Sequence, residues 1–130
     1  SRALTLISAP AGYGKTTLAS AWLAQLATPS AWVSLDERDD DLLTFANYLL
    51  VAARGALPGA TFRLQSLLQA PVPPAPVVIA RYLAADLEQC AARLTIALDD
   101  IHSIKDLGIF DLLSELLRHL IDKIENECLP

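Results

Sequence analysis

The sequence predicts an α/β fold with a mainly parallel sheet, on three observations. Short apolar runs at Leu4–Ser8, Ala31–Leu35 and Leu94–Asp100 have the length and density of buried strands. Longer stretches between and after them place apolar residues at three- and four-residue steps, the period of helices. The two least ordinary pieces of the chain, "APAGYGKTT" and "DD", each follow an apolar run. They therefore fall at strand carboxyl ends, where sheets of this class bind ligands.

Bulk composition narrows the classes of function. With 130 residues the chain supports one compact domain. At 53% hydrophobic and 19% charged residues it has the material for a core, which excludes a disordered segment. A formal charge of −5 leaves no broad basic surface for a phosphate backbone, so direct DNA binding by these residues is not expected. Cys90 and Cys128 form neither a disulfide framework nor a CxxC pair, which points to a reducing cytoplasm. No run reaches the roughly 20 apolar residues of a membrane span. No basic leader with a cleavable apolar run is visible. The chain opens almost directly on an apolar strand, as expected of a piece of a longer protein.

The elements follow in order. Leu4–Ser8 is read as a buried strand and Lys15–Ala27 as a helix ended by Pro29, apolar on most sides. Ala31–Leu35 is a second strand. The acidic run "DERDDD" then supplies an N-cap and favourable charge to a helix from about Leu42 to Arg54. Leu42, Phe45, Ala46, Leu49 and Ala53 share its apolar face, and Gly55, Pro58 and Gly59 close it. A short helix is expected over Phe62–Gln69, then a stiff extended connector, "PVPPAP". Val78–Cys90 resumes helical spacing through Ile79, Tyr82, Leu83 and Leu87. After the third strand, Ile109 to Ile124 forms the cleanest amphipathic pattern in the sequence.

The loop "APAGYGKT" matches the phosphate-binding pattern G-x-x-x-x-G-K-[ST], with Ala9 in place of the first glycine. A triphosphate must be held without a wall of bulky side chains. Main-chain amides do this where glycines let the backbone wrap the anion, here Gly12 and Gly14. The helix starting near Lys15 turns its free N–H groups and positive dipole end to the same anion. Ala11, Gly12, Tyr13, Gly14, Lys15, Thr16 and Thr17 are thus the candidate nucleotide-binding residues. The Lys15 ammonium would bridge the β- and γ-phosphates, the Thr16 hydroxyl would ligate Mg²⁺, and Thr17 would meet the α-phosphate. A glycine loop with an exposed lysine is the plain alternative, and the flanking strand and helix argue against it. A dinucleotide fingerprint fails because Thr17 stands where its third glycine belongs. The fold expected is therefore a P-loop NTPase three-layer sandwich, in truncated form.

"LTIALDD" supplies the second half of the constellation. An apolar strand ending in an acid puts a carboxylate where it can hold Mg²⁺, and Asp99 takes that role. Asp100 is the candidate to orient or deprotonate an attacking water, which makes Asp100 and Lys15 the candidate catalytic residues. A capped turn is the alternative for an isolated Asp–Asp pair. His102 is read as a loop histidine rather than a γ-phosphate sensor. The "DERDDD" acids lack the glycine and distal glutamate of a calcium loop and are read as helix-capping. Arg38, Arg54 and Arg81 could each serve as an arginine finger, but nothing in their spacing distinguishes them from surface charges. His119 is expected to be exposed. Guanine specificity is disfavoured, since no N-K-x-D occurs.

With these motifs placed, "LTLISAPAGYGKTTLASAWLAQL", "AWVSLDERDDDLLTFANYLLVAA" and "LTIALDDIHSI" resemble the nucleotide-binding (NACHT/NB-ARC-like) domain of MalT-like, LuxR-type large ATP-binding transcriptional regulators. These belong to the STAND class of P-loop ATPases. The resemblance runs from about Leu4 to Leu120. It implies a switch that holds ADP at rest, exchanges it for ATP with Mg²⁺, self-associates in the ATP state and resets by slow hydrolysis. Inducer-sensing helical repeats and a DNA-binding helix-turn-helix would lie in further, C-terminal parts of such a protein. For these 130 residues the expectation is nucleotide binding rather than turnover. The class also implies a strand between the phosphate-loop strand and the acid-pair strand, which this sequence does not supply. Two other readings are a P-loop phosphotransferase and a nucleotide-free interaction scaffold.

Overall fold

A computed structural model describes residues 4–9, 29–35, 40–90, 93–99 and 104–128. The expected phosphate loop and the helix at 15–27 lie outside these residues, as do Asp36 to Asp39, Asp100 and His102. The elements are β1 (Leu4–Ala9), β2 (Ser30–Ser34), α1 (Leu42–Ala56), α2 (Leu64–Leu68), α3 (Pro76–Gln89), β3 (Leu94–Asp99) and α4 (Leu107–Cys128). The fold is α/β, with a three-stranded sheet in the order β1-β3-β2 and both pairings parallel.

The central position of β3 explains its composition. Leu94, Thr95, Ile96, Ala97 and Leu98 are all buried, as expected of a strand covered on both faces and paired on both edges. Leu94, Ile96 and Leu98 belong to the main core cluster with Val33 and Leu35, and helical side chains close over them. The resemblance implied a strand between β1 and β3. Among the described residues no such strand is present, and β1 pairs directly with β3, in register from Leu4↔Leu94 to Ala9↔Asp99. The reason is physical, because a central strand left with an unpaired edge would bury unsatisfied N–H and C=O groups.

The helix α1 buries Phe45, Ala46, Leu49, Leu50 and Ala53 against β2 and β3, nearly the expected face. It runs through Gly55, which therefore does not end it. The stop is the turn Leu57–Ala60, where Ala60 N donates to Leu57 O at 3.2 Å. Pro58 sets the first central position, and Gly59 at φ 90° takes the second, a conformation unfavourable to any residue with a Cβ. The connector delivers Pro76 to the first turn of α3, where its missing N–H costs nothing.

In α3, Ile79, Ala80, Leu83 and Leu87 are buried. Tyr82, expected on the same face, is 37% exposed instead, and the Arg63 guanidinium stands 5.6 Å from its ring centre. The face turns toward Asp86, an acid that is only 1% exposed. Its carboxylate accepts the Leu64 N–H at 3.0 Å and lies 3.5 Å from Arg63, so it anchors the start of α2 on α3. The helices α3 and α4 pack along each other, with Ile109, Leu112 and Leu116 inward.

Two stability outcomes follow, each read from urea denaturation. Leu49, with no exposed surface, should lose about 3 kcal/mol on truncation to Ala. Gly59→Ala should cost about 1 kcal/mol through the positive φ, and an unchanged midpoint would show that the turn relaxes.

Candidate functional site

Parallel pairing brings the carboxyl ends of all three strands to one level. Ala9 and Asp99 are Cα partners, and so are Ser34 and Asp99. Neighbouring strands run about 4.8 Å apart, so the point where the glycine-rich loop leaves β1 adjoins the acid that ends β3. Of the candidate site residues, Asp99 is described as the last residue of β3. The phosphate-loop candidates Ala11 to Thr17 lie outside the described residues, as do Asp100, His102 and Arg38.

Beyond this edge the chain builds two helix starts side by side, capped by Asp41 and Asp106 and tied together by Asp40 and Asp106. Asp41 is the N-cap of α1: Oδ2 accepts from Thr44 N at 3.0 Å and from the Thr44 hydroxyl at 3.1 Å. Asp106 serves both helices. Its Oδ1 accepts from Gly108 N at 2.7 Å in α4, and its Oδ2 accepts from Leu42 N at 3.1 Å in α1. Asp40 crosses in the other direction, with Oδ1 accepting from Lys105 N at 3.0 Å and Asp106 N at 2.8 Å. Negative charge at two helix N-termini is favourable to both dipoles and satisfies amides that have no partner within the helix. The capping role expected of the acidic run therefore holds for Asp41. Gly108 permits the close approach, since a Cβ there would lie 3.1 Å from Asp106 Oδ1 and 3.4 Å from Leu42 Cδ2.

The remaining candidates are placed as follows. Arg81 does not project from the strand ends; its Nε donates to Glu115 Oε2 at 3.3 Å across the α3–α4 contact. Arg54 is in the last turn of α1, at the end opposite the caps. His119, expected to be exposed, is half-buried with Nε2 3.6 Å from Glu115, a carboxylate that also faces Arg118 at 3.8 Å. The i,i+4 spacing of Glu115 and His119 was the signal that could have found this pair. Asp86 had a signal too, lying three residues beyond Leu83 on the apolar side of α3.

An open groove of about 350 Å³ runs between β2 and α1, lined by Trp32, Val33, Ser34, Tyr48, Val51 and Ala52. The Trp32 indole N–H donates to the Ser34 hydroxyl at 3.0 Å along one wall. This lining carries no cation, so it does not suit a polyphosphate. Among the described residues there is no group of three or more His, Cys, Asp or Glu placed to hold a metal. Cys90 is half-buried without a disulfide, and no described helix is long and apolar enough to cross a membrane.

Fold and strand-end geometry together define an α/β domain whose candidate chemistry lies along the carboxyl edge of a parallel sheet. Comparison with known proteins adds a relationship at the level of sequence. The chain is 33% identical over 121 residues to the HTH-type transcriptional regulator MalT of Vibrio cholerae serotype O1, covering 93% of this chain and 13% of that protein. It is 34% identical over 116 residues to the MalT regulator of Yersinia enterocolitica serotype O:8, covering 89% of this chain and again 13% of the relative. The chain thus spans about 13% of the length of the curated relatives it matches. No family model matches it.

Replacing the shared cap should be costly. Asp106→Ala removes acceptors at two helix starts and should lower stability by about 2 kcal/mol. Arg81→Ala, at a side chain 61% exposed, should cost under about 1 kcal/mol by the same denaturation measurement.

Proposed function

We propose that this chain is an ATP/ADP-binding switch module of a multidomain, MalT-like transcriptional regulator. The observation that carries the reading is the Ala9↔Asp99 register, by which the phosphate-loop sequence and the acid pair leave adjoining strands at one edge of the sheet. That arrangement fits Mg²⁺-nucleotide. The Thr16 hydroxyl and Asp99 carboxylate are hard oxygen donors of the kind Mg²⁺ accepts, and they follow neighbouring strand ends. In the described sheet β1 pairs directly with β3, so the strand end that precedes the loop sequence stands beside Asp99.

In this reading the amides of Ala11 to Thr17 hold the phosphates and Lys15 neutralises the β- and γ-oxygens. Bound Mg²⁺ would supply charge neutralisation at the phosphate oxygens, held by Thr16 and Asp99. Asp100 orients or deprotonates water during slow hydrolysis in the intact protein. The resemblance further points to self-association in the ATP state and to DNA contact through a separate C-terminal domain, in the cytoplasm. A net charge of −5 agrees with DNA recognition residing elsewhere. The names of the relatives support the regulatory setting. A phosphotransferase is less well supported, because the buried acid between residues 42 and 90, Asp86, is committed to the Leu64 amide and Arg63.

Thermal denaturation with ADP or ATP, each with Mg²⁺, tests the reading. At ligand a hundredfold above Kd, binding should add about 2.7 kcal/mol and raise Tm by several degrees. Lys15→Ala should weaken binding by more than about tenfold. No shift in the unmutated protein with either nucleotide would leave the scaffold reading in its place.

A further inference from the structure

We infer that α4 carries a self-association surface on which two copies of this chain pair antiparallel; this goes beyond the nucleotide-binding reading and does not rest on it. Ile109, Leu112 and Leu116 turn one face of α4 into the core, where the helix packs on α3 and α1. A second apolar row stands outside that contact. Leu107, Phe110 and Leu117 are 77%, 41% and 47% exposed. With the exposed Ser114 among them, these positions recur at steps of three and four residues, the spacing of a seam between two paired helices. A single exposed apolar residue is ordinary on a protein surface, whereas a row of three at seam spacing is surface that association would bury.

Charge identifies the occupant as a second copy. Asp111 and Arg118 are both exposed and lie seven residues apart on the same flank of the row. Asp111 has no partner among the described residues. Arg118 is 72% exposed and stands 3.8 Å from Glu115, a carboxylate that Arg81 and His119 also face. Opposite charges on one flank of one helix are self-complementary under a two-fold axis. In an antiparallel pair, Asp111 of each copy comes within reach of Arg118 of the other, so the ion pair forms twice. A parallel pair instead puts the two charged flanks on opposite sides of the seam. The antiparallel register also sets Phe110 over the small Ser114, which lets the helices approach, and Leu107 against Leu117. One helix pair buries less than a standard interface, so the association is weak and depends on concentration.

Sedimentation velocity of the 130-residue chain without nucleotide tests this, over about 5 to 500 μM because the interface is small. Salt at about 0.15 M screens the net charge of −5 on each copy. The sedimentation coefficient should rise with concentration toward that of a dimer. Leu117→Gln, at an exposed position, should raise the concentration of half-association by more than about tenfold, with the far-UV circular dichroism retained. Asp111→Arg and Arg118→Asp should each weaken association alone. Mixing these two variants should restore it, since every ion pair across the mixed seam then joins an arginine to an aspartate. A chain that stays monomeric throughout would overturn the inference and leave the row to a different partner. Association untouched by Leu117→Gln, or a mixture of the charge variants no better associated than either alone, would overturn it equally.

Discussion

The double-sided pairing of β3 is the constraint from which the rest follows. A strand that ladders with β1 on one side and β2 on the other has backbone partners on both edges, which lowers the polar cost of burying both faces. Burial in turn selects "LTIAL", with Ile96 and Leu98 under α1 and the rest of the core. Because both pairings are parallel and in register, the strands end together. Ala9, Ser34 and Asp99 consequently share one edge, although they are far apart in the chain.

Beyond that edge the dominant physics changes from apolar packing to the electrostatics of helix starts. Two helices begin close together, each with amides that lack partners, and aspartates at 40, 41 and 106 accept from both. The acidity of this region is thereby explained in part without a bound ion. Asp40 and Asp106 also link the residues just before α1 to those just before α4.

At the level of sequence the chain is about a third identical to two MalT regulators over nearly its whole length. Direct pairing of β1 with β3 sets Ala9 beside Asp99 at one strand edge.

Local order was written plainly in the sequence. The period of Phe45, Leu49 and Ala53 specified α1 and its buried face, Asp41 with Thr44 specified its cap, and Pro58–Gly59 specified the turn after it. Each of these is decided within a few residues, by backbone preference or by side-chain spacing. The phosphate-loop pattern and the acid pair were likewise legible as motifs. Tertiary structure alone decided the partners: β3 between β1 and β2, Asp86 turned inward to the Leu64 amide, Tyr82 turned outward beneath Arg63, Asp40 joined to Lys105 and Asp106. No local spacing encodes these, because which edge a strand offers and which amide a carboxylate meets depend on elements that approach from elsewhere in the chain.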